Sequence, residues 1–444
     1  MITSTASGKT EQLLHSIEHK LGTHKGARRV WLEGKRLSDA GFRQGVRYQV
    51  GQTDGGLVLR LSPAGDKRVS GTTRRPVVDI LNTQVSDILG PAEVVHVRFA
   101  PRAITITLLS PADRAAAARL RRVNARLQGG QAWRLGSVSH GAGIAASGIL
   151  AGLGAAEMAF GVDISPDYIS QSLDHGPLAQ GGVSIVSDLR LVDPAELPEC
   201  DVLEAGLPCV AASRAGRSKK HLDRPEDDPQ VEDLEVAFIE ILRATQPAVV
   251  ILENVPEYAT SDSAGRIRRW LERWGYTIHE QVLDGAEWAL EARVRWVMVA
   301  TTRGLSVDLN LQGAERPAEL GDVLDRKVPA TAWRRFEHLD RKQTRDAARG
   351  SDFRQQLVSA SSTRVPTLRR GYQKAGSTDP RLSHPTRAGY SRLLSPAEHA
   401  RCKGIPPALV TGLSDKVAHE VLGQSVISPA FTAIGRAIGQ AVGA

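Results

Sequence analysis

From Leu135 onward short apolar runs alternate with helical periods, and no other feature restricts the chain so much. "RLGSVS" leads into a glycine-rich turn and a helix-length stretch, then come "MAFGVDIS", "VSIVSD", "CDVLEAG", the amphipathic "VEDLEVAFIEILRATQ" and "PAVVILENV". Apolar runs of strand length separated by helices imply a parallel sheet covered by helices, with ligands taken at the carboxyl ends of the strands. The expected fold class is α/β with a Rossmann-like parallel sheet.

The first turn carries more information. Gly141-Ala-Gly143-Ile-Ala-Ala146 follows a strand and opens a helix, and Asp163 lies 20 residues beyond Gly143. Glycines let the backbone approach a ligand closely, and an acidic residue at that distance accepts bonds from ribose hydroxyls. A nucleoside cofactor is indicated, without distinguishing a nicotinamide dinucleotide from S-adenosylmethionine. The stretch 141–160 has Glu157 as its only charge, yet 12 of its 20 residues are Gly or Ala. That is too weakly apolar for a membrane span, so it reads as a glycine loop leading into a close-packed helix.

Three further groups fall at strand ends. Pro208-Cys209 follows "DVLEAG", Glu253-Asn254-Val255 closes "VILENV", and Arg293 and Arg295 in "LEARVRWVMVATT" are spaced by two, hence on one face of a strand. A thiol, a carboxyl and two guanidiniums can thus converge on one pocket. Each has an ordinary reading by itself: Cys209 as core, Glu253 as a loop cap, the arginines as surface charges, Asp163 and Asp188 as turn formers. The three cysteines, Cys200, Cys209 and Cys402, stand too far apart for a disulfide framework or a zinc site and suit a reducing cytoplasm. Cys200 and Cys402 are read as structural, and no metal is expected.

Taken together and in this order, residues 131–444 resemble the DNA cytosine-5 methyltransferases. "SVSHGAG" is similar to the family's glycine loop; Asp163 and Asp188 match the acidic residues after its second and third strands. Pro208, Cys209, Ser213 and Gly216 match Pro-Cys-Gln-x-Phe-Ser-x-x-Gly, and Glu253-Asn254-Val255 is intact. Glu291-x-Arg293-x-Arg295 resembles Gln-x-Arg-x-Arg, "SRLLSPAEHARCKGIP" the late Arg-x-Leu-(Thr/Ser)-x-x-Glu-x-x-Arg motif, and "GQSV" at 423–426 the terminal Gly-Asn-Ser-Val. Departures are Ser139, where the family has an aromatic that stacks on the cofactor, and Val210, Ala212 and Glu291, where it has Gln, Phe and Gln.

The resemblance implies methyl transfer from S-adenosylmethionine to carbon 5 of a cytosine flipped out of double-stranded DNA. It assigns catalysis to Cys209, Glu253, Arg293 and Arg295. Cofactor binding falls to Ser139, Gly141, Gly143, Asp163, Asp188, Pro208, Ser425 and Val426. The thiol adds to carbon 6, the acid holds ring nitrogen 3, and the arginines grip the base carbonyl and a phosphate. The loop 209–230 is expected to close over DNA. It also implies a cytoplasmic, nucleoid-associated enzyme, monomeric on DNA, for which a cognate restriction endonuclease is a candidate partner.

Charge supports a polyanion partner. The chain carries +8, and the stretch 326–392 alone carries +11 from 16 Lys/Arg and 5 Asp/Glu. Such a segment in a near-neutral body is the footprint of a nucleic-acid surface. It falls where the family has its target-recognition region, here 304–410. Ser213, Arg214, Arg217, Arg369, Arg370, Lys374 and Arg392 are the expected DNA contacts.

The N-terminal part repeats at an offset of 48: Ser38-Asp39 recurs as Ser86-Asp87, Val46 as Val94, Leu61-Ser62-Pro63 as Leu109-Ser110-Pro111. One β-rich copy cannot bury both faces of its hairpin, so two are expected to complete one small barrel-like domain over 27–111. "WLEGKRLSDAGFRQGVRYQV" resembles AbrB-like swapped-hairpin domains, which implies a fused pseudo-dimer. The remaining boundaries are a disordered tail to 26, a linker helix over 112–130 stopped by Gly129-Gly130, a catalytic domain over 131–303, and a C-terminal helix over 411–444. Two other readings stay open: a DNA-binding regulator with a decayed methyltransferase domain, and a transfer RNA cytosine-5 methyltransferase. A nicotinamide oxidoreductase would leave Pro-Cys and Glu-Asn-Val idle.

Overall fold

The computed structural model describes residues 14–441 other than 25, 54, 82, 91, 209–232, 312 and 314. It divides into two compact units. The first runs to Ala125 and includes Leu271–Thr277 and Thr302–Leu305; the second is the remainder.

Seven strands, all of the second unit but for Tyr276, Thr277 and Thr302, form one sheet: β1 Trp133–Val138, β2 Ala156–Asp163, β3 Val183–Val186, β4 Val202–Ala205, β5 Val249–Asn254, β6 Tyr276–Asp284 and β7 Val294–Thr302. Their order is β3-β2-β1-β4-β5-β7-β6. β1 to β5 pair in parallel, and β7 runs antiparallel to β5. Val249, Val250, Ile251 and Leu252 are wholly buried, as a central strand covered on both faces requires. The order reverses around β1, whose neighbours are β2 and β4. The glycine loop leaves β1 and Pro208 follows β4, so both lie at the switch point where such sheets take ligands.

Helix α1 (Ile144–Leu153) follows the glycine loop, and α2 (Pro166–His175) follows β2. The expected close packing of α1 is present. A Cβ on Gly152 would lie 2.1 Å from the Thr432 carbonyl, and one on Gly435 would lie 2.3 Å from that of Ile149. Backbone therefore meets backbone between α1 and the C-terminal helix. That helix was expected to be single over 411–444, but among the described residues it is two. α4 (Asp415–Gln424) and α5 (Ser428–Ala441) are separated by a turn at 425–427, after α3 (Pro396–Cys402).

The basic segment does not form a compact unit of its own. Four short strands order as Arg334–Arg335, Tyr390–Arg392, Arg381–Ser383 and Leu357–Val358. Val358, Leu368, Tyr372 and Leu382 share a core with Leu290 and Cys402.

The first unit holds two antiparallel sheets, and its elements recur at the offset of the sequence repeat. Strand Ala27–Glu33 corresponds to Pro76–Leu81, helix Lys35–Asp39 to Thr83–Leu89, and hairpin Arg47–Thr53/Gly56–Leu61 to Val94–Ala100/Ala103–Leu108. Two of these corresponding pairs join directly, Val30 opposite Ile80 and Leu59 opposite Ile104, and both copies contribute to one core. Two expectations need correcting. Residues up to 26 were assigned to a tail, but His15–Lys20 and Gly22–His24 are strands, the former pairing with Val94–Ala100. "HSIEHK" has one apolar residue, and only its cross-strand partners, such as Val97 opposite Ile17, supply the missing hydrophobic signal. The helix Pro111–Gln128 is more than a linker: Arg119, 1% exposed, donates to the Thr302 hydroxyl at 3.1 Å and lies 4.0 Å over the Tyr276 ring.

Candidate active site

The glycine loop is held in a shape that glycine favours. Gly141 and Gly143 have φ of 58° and 77°, and a Cβ on Gly143 would lie 2.4 Å from Pro177. Asp163 accepts the Gly141 N–H at 2.7 Å and the Ser165 N–H at 2.9 Å. Burial raises its carboxyl pKa against those two bonds. Asp163 thus forms the turn at the strand end and also fixes the glycine loop. A Cβ on Gly141 would meet no atom within 4 Å. Open space beside backbone amides, next to the half-buried Asp163 carboxylate and a helix start, fits a ribose-bearing cofactor. Ser139 has φ of 53° and is half-buried. Asp188 caps the turn after β3 and binds the Arg190 guanidinium, which holds its carboxyl below the ordinary range.

Cys209, Ser213, Arg214 and Arg217 lie outside the described residues. The approach to them is visible. Pro208 is exposed, and the Asn254 amide donates to the Leu207 carbonyl at 3.0 Å while accepting from the Val255 N–H at 2.9 Å. Asn254 thus pins the last described turn before Cys209 to the end of β5. Beside it Glu253 meets Arg295 at 2.7 Å, the two side chains only 12% and 17% exposed.

Arg293 departs from expectation. The spacing of two suggested one face and a shared grip on the base. Arg293 instead falls between the short strand Glu291–Ala292 and β7, is 5% exposed, and donates to the Gly423 carbonyl at 3.2 Å and the Gln424 carbonyl at 3.4 Å. The break in the ladder leaves its guanidinium on the C-terminal segment. Glu291 and Lys403 are wholly buried and 3.3 Å apart. Burial pulls the Lys403 ammonium below its usual range, and the adjoining Glu291 carboxylate opposes that by favouring the charged form. Ser425 and Val426 form the turn between α4 and α5, where the Ser425 carbonyl accepts from Lys403 at 3.1 Å.

Of the expected DNA contacts, Arg369, Arg370 and Lys374 are exposed. Arg369 meets Asp379 at 2.7 Å, and Arg370 pairs with Glu420. Arg392 must be withdrawn. It is 4% exposed, binds both oxygens of the wholly buried Glu398 at 2.6 and 2.7 Å, and lies 5.1 Å over Trp333. A buried charge requires its counter-charge, and here that is a carboxylate of the chain.

Sequence reasoning missed a buried polar chain under the loop. Ser137 Oγ is 2.6 Å from Glu204 and 2.9 Å from His140 Nδ1, and His140 Nε2 is 2.8 Å from Ser172 Oγ. Burial, with Glu253 adding repulsion, lifts Glu204 to about 8, and burial lowers His140 to about 4. At neutral pH both are mainly uncharged. A Glu inside "DVLEAG" was the available signal. Among the described residues no group of His, Cys, Asp or Glu could hold a metal, and no helix is long and apolar enough to cross a membrane.

A sheet in this order, with one antiparallel strand and a glycine loop at the switch point, defines an α/β methyltransferase fold of the S-adenosylmethionine type. The same fold is found in Entamoeba histolytica methyltransferase EhMeth (TM-score 0.58, 16% identity, 69% of this chain and 98% of that one) and S. pombe Dnmt2 (TM-score 0.53, 17% identity, 68% and 97%). The family model of the C-5 cytosine-specific DNA methylases matches residues 179–440, more than half the chain, and the protein belongs to that family. It is similar to the Type II methyltransferases M.NlaX of Neisseria lactamica (27% identical over 264 residues, 57% of this chain and 80% of the relative) and M.HhaI of Haemophilus parahaemolyticus (26% over 270 residues, 54% and 76%).

Proposed function

We propose that the protein transfers a methyl group to carbon 5 of cytosine in double-stranded DNA through a covalent adduct with Cys209. The observation that carries this is the Glu253–Arg295 pair at 2.7 Å, next to the turn that Asn254 ties down just before Cys209. The Cys209 thiolate adds to carbon 6 of the extruded base, and Glu253 supplies a proton or hydrogen bond to ring nitrogen 3 as charge builds there. Arg295 donates to the base carbonyl and keeps Glu253 oriented. Bound S-adenosylmethionine supplies the electrophilic methyl group. Loss of the carbon 5 proton and departure of the thiolate then restore the aromatic ring.

Gly141, Gly143, Asp163, Asp188, Ser139 and Pro208 hold the cofactor at the ends of β1 to β4, with Ser425 and Val426 beside them. Residues 304–410 form the inserted recognition region, in which Arg369, Arg370 and Lys374 meet phosphates and base edges; Ser213, Arg214 and Arg217 belong to the closing loop. The N-terminal repeat is an AbrB-like pseudo-dimer, a reading supported by the pairing of its two copies. A restriction endonuclease of the same specificity is the expected companion.

The test is transfer of tritiated methyl groups to duplex DNA and to transfer RNA in competition. Labelling of duplex DNA, lost in Cys209→Ser, is expected. Preferential labelling of transfer RNA would overturn the substrate, and absence of label from folded, DNA-bound protein would favour a regulator.

A further inference from the structure

Glu291 stands where the family places a neutral glutamine, and the fold answers it with a cation. Lys403, at the end of α3, is 0% exposed and 3.3 Å from the Glu291 carboxylate. The pair touches both the basic region and the turn before α5. Glu291 accepts the Leu368 N–H at 3.2 Å from the basic region, and Lys403 donates to the Ser425 carbonyl at 3.1 Å. The Lys403 carbonyl accepts the Ser428 N–H that opens α5, at 3.2 Å. Arg293, whose guanidinium is 3.9 Å from Glu291, holds the carbonyls of Gly423 and Gln424. Residues 423–428 are thus bound on one side by Arg293 and on the other by Lys403, with Glu291 between the two cations.

We infer that Glu291 and Lys403 are a matched pair of positioning residues, in which the exchanged charge of one is compensated by the other, and that together they set the C-terminal turn at Ser425–Val426 for cofactor binding. This rests on the reading of that turn as part of the cofactor site. A buried ion that loses its partner keeps its desolvation cost and pulls its surroundings out of place. A neutral amide pair of similar size restores the contacts without either charge.

The experiment compares wild type, Glu291→Gln, Lys403→Gln and the double variant by calorimetric binding of S-adenosylmethionine and by thermal unfolding. Each single variant is expected to weaken cofactor binding by at least about tenfold. The double variant should return to within about threefold of wild type, the non-additivity of residues in contact. Single variants that unfold earlier but bind the cofactor like wild type would overturn the positioning role. So would a double variant whose loss equals the product of the two single losses. Failure of wild type to bind S-adenosylmethionine would instead remove the cofactor reading of the site, and this inference with it.

Discussion

Two carboxylate–cation contacts flank the start of β7 yet differ in how they meet solvent. At the end of β5, Glu253 and Arg295 meet at 2.7 Å with 12% and 17% of their side chains exposed, beside the turn that leads to Cys209. Behind them, Glu291 and Lys403 are sealed, with Arg293 as the third charge. The first pair keeps a small opening to solvent, which the proposed role of Glu253 on an incoming base requires. The second is closed on partners within the chain, Leu368 for Glu291 and Ser425 for Lys403, with Arg293 on Gly423 and Gln424. Two arginines spaced by two therefore take different partners, Arg295 the carboxylate of Glu253 and Arg293 the carbonyls of Gly423 and Gln424.

The contrast can be broken by experiment. Glu253→Ala should lower kcat by about 10²–10⁴-fold, the range for a general acid, while the melting curve stays near wild type. A large loss of Tm would place Glu253 with the sealed pair. Arg293→Met should do the reverse, costing on the order of 1–3 kcal/mol of stability by leaving the Gly423 and Gln424 carbonyls without their donor. Denaturant unfolding reads this directly, and a stable protein with abolished kcat would return Arg293 to the catalytic group.

Glu204 sharpens the comparison through pH. Burial raises its folded-state value to about 8 from the usual 4.5. The stability it confers is complete below pH 4.5 and is lost as pH rises toward 8. Glutamine stays neutral throughout. Glu204→Gln should therefore gain on wild type by up to about 1.4 kcal/mol per pH unit across that window. Equal pH dependence in the two proteins would show that Glu204 does not hold its proton.

The smallest effect is expected at Arg370, whose ion pair with Glu420 is exposed. Arg370→Met should cost less than about 1 kcal/mol of stability and reduce the salt-dependence slope of duplex binding by about 1. Unchanged binding would remove it from the DNA surface.

The sheet was legible because its strands are buried on both faces and read as unbroken apolar runs. Asp163, Glu253 and Asn254 were legible because they stand at the ends of those runs. The repeat was legible from a few identities at a fixed offset, and its first strand was not, since "HSIEHK" gains its apolar character only from Val94–Ala100 across the sheet. Arg392 misled because a basic stretch says nothing about which of its charges are buried, and only the folded chain puts Glu398 against it. Lys403 was hidden for the same reason. Its partner Glu291 is more than a hundred residues away, joined to it by the return of α3 onto the strand before β7.

The most direct test of the whole account is a duplex carrying 5-fluorocytosine, offered with S-adenosylmethionine. Fluorine cannot leave carbon 5 as a proton does, so a thiolate that has added to carbon 6 stays attached after methyl transfer. The account predicts a protein–DNA complex that survives denaturation, with the modified peptide containing Cys209 and with none formed by Cys209→Ser. Methylation of ordinary duplex without any trapped complex, or trapping through Cys200 or Cys402, would contradict it.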